Sequence, residues 1–231
     1  MTTNMPPWPD LIKYASQMLF PDGRLFFYQN KKSAAKNPPL VFIHGLGDEA
    51  DTWRHILPGL DNGGWSFLAL DLPGFGRSTW HGKINISCHA NIIIDLIERC
   101  RNELLDKSRV TQPVVLIGSS MGAGIAELIA FKRPDLVKAL VLMDGCFPIT
   151  GNVSPILLFA GLPVIGKNWY RGFRSNHEAA WKSLYAYYKN LDAMSAEDKQ
   201  FLRDRVIARV ESDNQERGYF ASLRSINAVF L

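Results

Sequence analysis

The chain has 231 residues, 47% hydrophobic and 21% charged, with a formal net charge of +4, the texture of one ordinary globular domain with room for a small appendage. Its densest basic pieces are the pairs Lys31 with Lys32 and Lys132 with Arg133, not a run or stripe, which argues against a nucleic-acid partner. The start MTTNMPPWPD has no basic segment leading into an apolar one, and the apolar stretch Ile156 to Ile165 is interrupted by Gly161 and Pro163, so neither a secretory signal nor a membrane span is expected.

In chain order, residues 8 to 19 carry a short amphipathic helical pattern, and Asp22-Gly23 marks a turn before the aromatic strand Leu25 to Tyr28. A polar loop, Lys31 to Pro39, leads to the first of four short apolar runs: Leu40 to Ile43, Phe67 to Leu70, Val114 to Ile117 and Ala139 to Met143. Ile92, Ile93, Leu96 and Ile97 give one helical face between the second and third runs. Ile125, Leu128 and Ile129 give another between the third and fourth, stopped by Arg133-Pro134. Apolar runs without alternation, separated by amphipathic helices, predict an α/β fold: a mostly parallel buried sheet flanked by helices.

From about Cys146 the texture changes. Residues 147 to 176 are rich in Gly, Pro and aromatics, and helical patterns follow with no strand between them. Trp181, Leu184, Tyr185, Tyr188 and Leu191 form one, Leu202, Val206 and Val210 a second behind a capping pair Ser195 and Asp198, and Tyr219, Phe220, Leu223 and Ile226 the last. The expected division is a core over residues 1–146 and a helical cap or lid over 147–231, with no internal repeat.

Three places at the carboxyl ends of the predicted strands carry chemistry, where open α/β sheets keep their sites. The stretch GSSMGAG at 118–124 fits G-x-S-x-G with Ser120 at its centre and Ser119 at the x position; Gly118 and Gly122 allow a tight strand-to-helix turn that lifts the central hydroxyl above the sheet. His44-Gly45-Leu46-Gly47 follows the first run, and its glycines let an amide N–H face a developing oxyanion together with the amide of Met121. His44 reads as a hydrogen-bonded support for that loop. Asp71-Leu72-Pro73-Gly74-Phe75-Gly76-Arg77-Ser78 makes a rigid loop, in which Asp71 and Arg77 read as a bracing pair.

Taken in this order and at these separations, VFIHGLGDEADTW, FLALDLPGFGRS, VVLIGSSMGAG and ALVLMDG resemble the α/β-hydrolase superfamily, in the serine branch with a helical cap. The resemblance covers residues 20 to 146 by motif. It implies Ser120 as nucleophile, the amides of Leu46 and Met121 as oxyanion hole, and the segment from 147 as a lid over an acyl pocket. Serine at the elbow speaks against the dehalogenase and epoxide-hydrolase branches, which attack with a carboxylate. Asp144 ends the strand beside the nucleophile strand, where some members place their acid; otherwise it caps its loop.

The family's chain order puts the histidine last, after further strands. No strand-like run follows Met143, so the chain is expected to lack the part that carries it. His177, the one histidine after Ser120, reads as a solvent-facing residue at a helix start, and His55, His81 and His89 come with no motif. The sequence therefore supports two readings: a hydrolase cleaving an ester-like bond of a small or apolar acyl substrate through an acyl-enzyme, or an inactive fragment or binding module that keeps the pocket. Cys88, Cys100 and Cys146 have no metal-ligand spacing and fit a reduced, cytoplasmic setting; with no phosphate loop or dinucleotide fingerprint, neither metal nor cofactor is expected.

Overall fold

The computed structural model describes residues 5–30, 37–104, 112–145, 162, 164–188 and 190–230. Its strands are β1 (Ala15–Phe20), β2 (Gly23–Gln29), β3 (Leu40–Ile43), β4 (Phe67–Leu70), β5 (Thr79–Trp80), β6 (Val114–Ser119) and β7 (Val137–Met143). They form one sheet in the order β1-β2-β4-β3-β6-β7, with β5 beside β2. The hairpin β1/β2 and the β2/β4 pair are antiparallel. From β4 through β3 and β6 to β7 the sheet is parallel.

β3 and β4 are buried at every position, because the sheet is covered on both faces. Val41, Ile43, Leu68, Leu70, Val114 and Leu116 face a core shared with Ile93, Leu96 and Ile97 of α2 (Ile86–Leu104) and Ile125, Ala126 and Ile129 of α3 (Met121–Lys132). Leu40, Phe42, Phe67 and Ala69 point the other way, toward Trp8, Tyr14, Trp53 and Leu57, the last opening α1 (Leu57–Asn62). The four apolar runs and both intervening helices lie where the sequence places them.

Residues 8 to 19 depart from expectation. Instead of one helix they form a short 3-10 turn, Pro9–Tyr14, and then β1, whose Ala15 pairs Tyr28 and whose Phe20 pairs Gly23. Trp8, Leu11 and Tyr14 go into the core, but the helical stripe does not continue past them: Ile12 and Leu19 stay exposed, and the hairpin gives the backbone a partner that a solvent-facing helix would not. β5, two residues long, was not foreseen. β7 pairs only with β6 among the described residues, and Leu140, Val141 and Leu142 stand exposed along it, so the fourth run forms an apolar sheet edge where burial was expected.

After β7 come α4 (Ile165–Ser175), α5 (His177–Lys182), α6 (Ala196–Glu211) and α7 (Asp213–Phe230). Ser195 caps α6 as read from sequence, accepting from the Asp198 N–H at 3.0 Å. The pattern Trp181 to Leu191 is not one helix: α5 ends at Lys182 and 3-10 turns follow at Ser183–Ala186 and Leu191–Ala193.

These helices rest on a buried charge network at the ends of β3 and β4. Asp71, fully buried, accepts the Ala50 N–H at 2.7 Å and takes Arg77 through Nε at 2.8 Å and Nη2 at 3.0 Å. Arg77 also meets Asp51 at 3.0 Å, donates to the Tyr28 hydroxyl at 2.7 Å and lies 3.9 Å over the Phe26 ring. From α6, Arg205 pairs with Asp51 at 2.9 Å, and Arg209, one turn on, holds Glu49 at 2.6 Å and Asp48 at 2.5 Å. Burial by itself would raise the Asp71 pKa, but the Arg77 guanidinium and two backbone amides outweigh it and keep the carboxylate ionised. Removing one partner strands the others as charges in apolar surroundings. Arg77→Met is therefore expected to cost about 3–5 kcal/mol in urea unfolding, whereas a surface pair such as Arg99–Asp95, 40% and 44% exposed, should cost under about 1 kcal/mol when cut.

His89 on α2 lies fully buried under α7, with Nε2 2.9 Å from the Ser222 hydroxyl. Burial, aided by repulsion from His44, pushes its pKa down to about 3. The unfolded chain thus binds a proton at this site that the folded chain refuses, so stability falls as pH drops below about 6.5, at up to about 1.4 kcal/mol per pH unit. Unfolding midpoints at pH 7 and pH 5 should differ by this slope, and His89→Asn should flatten it.

Candidate active site

Ser120 sits between β6 and α3 with φ 51° and ψ −116°, a left-handed backbone that costs a non-glycine residue about 1–3 kcal/mol. The strain is held on all sides. Its N–H donates to Met143 O on β7 at 2.8 Å, and its carbonyl accepts the Ala123 N–H at 2.9 Å. A Cβ at Gly118 would collide with the Gly122 carbonyl, and one at Gly122 with the Ile43 carbonyl, so strand, turn and helix close on one another only with glycine there. The Ser120 side chain is exposed, whereas Ser119 is half-buried as the last residue of β6.

The loop after β3 passes beside it. A Cβ on Gly45 would lie 3.4 Å from that of Ser120. Gly45 O accepts the Asp48 N–H at 3.3 Å, closing a tight turn whose third residue, Gly47, has φ 82°. Leu46, half-buried, is the second residue of that turn. Across from it, Met121 is buried and opens α3, where an N–H has no intrahelical acceptor and the helix end favours negative charge.

His44 is fully buried, and both of its ring nitrogens are engaged by backbone rather than by Ser120. The Leu72 N–H donates to its Nε2 at 2.9 Å, which leaves the proton on Nδ1 to be donated to Gly45 O at 2.7 Å. Burial lowers its pKa and keeps the ring neutral, as this pairing requires. The ring thereby ties the loop after β3 to the loop after β4.

Asp144 follows β7 with φ 53° and is exposed; a Cβ on its neighbour Gly145 would lie 2.8 Å from Ser120 Cα, so this segment abuts the turn. Asp144 and Ser120 are not hydrogen-bonded to each other. The other four histidines lie elsewhere: His177 on Glu211 at 2.8 Å, His55 on Asp198 at 2.9 Å, His89 beneath α7, and His81 exposed. No imidazole is hydrogen-bonded to Ser120 among the described residues. Nor is there, among them, a group of three His, Cys, Asp or Glu able to hold a metal, or a helix long and apolar enough to cross a membrane.

Two contributors escaped the sequence reading. Gln215 and Tyr219 on α7 both touch Gly47, Gln215 through Nε2 to the Gly47 carbonyl at 3.0 Å and Tyr219 with ring carbons 3.4 Å from where a Cβ would stand. Nothing local in α7 announces partners 168 residues away.

Comparisons with known proteins agree with this fold. Residues 38–181 match the family described as alpha/beta hydrolase fold. An esterase of Mycobacterium tuberculosis is 36% identical over 107 residues, 46% of this chain and 33% of that protein. Lipase LipV of the same organism is 31% identical over 116 residues, 49% of this chain and 39% of its own. The chain thus spans about a third of the length of these curated relatives. Cfl2 of Burkholderia cenocepacia superposes with a TM-score of 0.75 at 21% identity, over 94% of this chain and 72% of that one, a likeness of fold. A sheet of this order, a strained serine turn at the end of β6 and a family match over more than half of the residues have one common meaning: the chain belongs to the α/β-hydrolase family.

Proposed function

We propose that the chain carries the nucleophile and oxyanion hole of a serine hydrolase that cleaves an ester-like bond of a small or apolar acyl substrate. The observation that carries this reading is Ser120 itself, exposed on a strained backbone that three close backbone approaches hold in place. Strained backbone held in place by its surroundings clusters at active sites, and this supports a working role for Ser120.

In this reading the Ser120 Oγ attacks the substrate carbonyl, and the oxygen that becomes negative is received by the amides of Leu46 and Met121. His44 is a positioning residue. Its Nδ1–H fixes Gly45 O, and the peptide so fixed is the one whose N–H belongs to Leu46, which in a trans peptide points the opposite way. Met121 adds the positive end of α3. Asp144, beside the elbow, is the acid that would orient an imidazole. The reading keeps the division into a core, 1–146, and a cap over the acyl pocket, 147–231, of which residues 146–161 lie outside the described residues; the Tyr219 and Tyr170 rings lie tilted against each other at 5.6 Å on the proposed cap side.

A second reading, a binding module that keeps this pocket without turnover, is favoured by the histidines. With all five engaged or placed away from Ser120, the hydroxyl has no imidazole partner among the described residues, and loss of that partner removes most of the rate while leaving about 10³-fold over water from the oxyanion hole and binding. A fluorophosphonate probe separates the readings. It is expected to label the wild-type chain and not Ser120→Ala; equal background on both proteins would discard the enzyme reading for this chain and leave the binding module.

A further inference from the structure

We infer that Gln215 is a positioning residue for the oxyanion loop, so that helix α7 sets the direction of the Leu46 N–H; this rests on the serine-hydrolase reading of the site. The turn Gly45-Leu46-Gly47-Asp48 has one long internal hydrogen bond, Asp48 N–H to Gly45 O at 3.3 Å, and a glycine at φ 82° that can leave this conformation easily. From inside the core His44 holds only Gly45. From outside, Arg209 of α6 holds the Asp48 side chain at 2.5 Å, and at Gly47 the backbone itself is held by Gln215 of α7, with the Tyr219 ring, i+4 on the same helix face, alongside.

The side chain of Gln215 is diverted to this task. Ser212-Asp213-Asn214-Gln215 has the S-x-x-Q spacing of a capping box, and the Ser212 hydroxyl does accept the Gln215 N–H at 3.2 Å. In a complete box the glutamine would reach back to the Ser212 N–H. Here that N–H is taken by Arg209 O at 3.2 Å, and the amide of Gln215 turns outward, 1% exposed, to bridge two loops. Its Nε2 donates to Gly47 O at 3.0 Å and its Oε1 accepts the Gly76 N–H at 2.9 Å. Both ends of the amide are used, so no other residue type of this size satisfies the pair.

The helix can approach this closely because Gly218 lies against Gly74; a Cβ on Gly218 would collide with the Gly74 carbonyl. Asn214 fastens the same turn of α7 to Ser78 O at 2.8 Å. The oxyanion donor on the β3 loop is therefore aligned from both sides, by a core imidazole and by a distant helix.

The test compares wild type, Gln215→Leu and Gln215→Glu by amide exchange in NMR, thermal midpoint and the rate of fluorophosphonate labelling. Gln215→Leu is expected to speed exchange of the Asp48 N–H about tenfold while the β3 amides keep their protection, and to slow labelling about tenfold, the worth of roughly one hydrogen bond. Gln215→Glu keeps the acceptor for Gly76 and loses the donor to Gly47, so it should slow labelling similarly with the Gly76 amide still protected. Wild-type exchange at Asp48 in both variants overturns the inference, as does exchange that rises equally throughout β3. If wild type itself is not labelled, the nucleophile reading has failed and the exchange at Asp48 alone decides whether Gln215 holds the turn.

Discussion

The constraint on which the rest depends is that Asp71 and Arg77 are buried together at the end of β4. Neither can leave water alone, and each is satisfied only with the loop after β4 folded back and the loop after β3 brought alongside, since Ala50 supplies an amide and Asp51 a second carboxylate. The network then recruits Arg205 and Arg209 from α6 and the hydroxyl of Tyr28 from β2. Hydrophobic burial builds the two-sided sheet, but it is indifferent to small movements of loops. Charges with little solvent are not, and they fix where the loop after β3, beside Ser120, and the loop after β4 stand.

Around that frame the site is assembled from backbone more than from side chains. The strained turn at Ser120 is paired to β7 on one side and crowded by the loop after β3 on the other, and Gly118 and Gly122 are the positions where a methyl group has no room. The proposed oxyanion donors are likewise backbone amides, one at the start of a helix and one in a glycine turn. Such groups carry no rotamer entropy, so their alignment is as good as the packing behind them.

The helices after β7 are therefore more than a cover. α6 meets the loop after β3 through ion pairs, and α7 meets both loops through Gln215, Asn214 and the Gly74–Gly218 approach. Through these contacts the C-terminal helices and the β3 loop hold one another's geometry, and a shift of either changes the other.

By itself the sequence determined the parallel strands β3, β4, β6 and β7, the helices α2 and α3 and the tight turn at Ser120, because each of these is local: an unbroken apolar run, a helical stripe, glycines at fixed offsets; the burial that such a run also implies holds for β3 and β4 but not for β7, whose middle is exposed. It also made His44 and the Asp71–Arg77 pair readable as loop supports, since residues at strand ends with glycine neighbours have few other uses. Tertiary structure alone decided that residues 15–20 are a strand and not part of a helix, because their hydrogen-bond partner is β2. It alone decided that His89 goes under α7, and that Gln215, which local rules assign to its own helix cap, reaches Gly47 and Gly76 instead. In each case the deciding partner lies on another element, at a distance along the chain that no local pattern encodes.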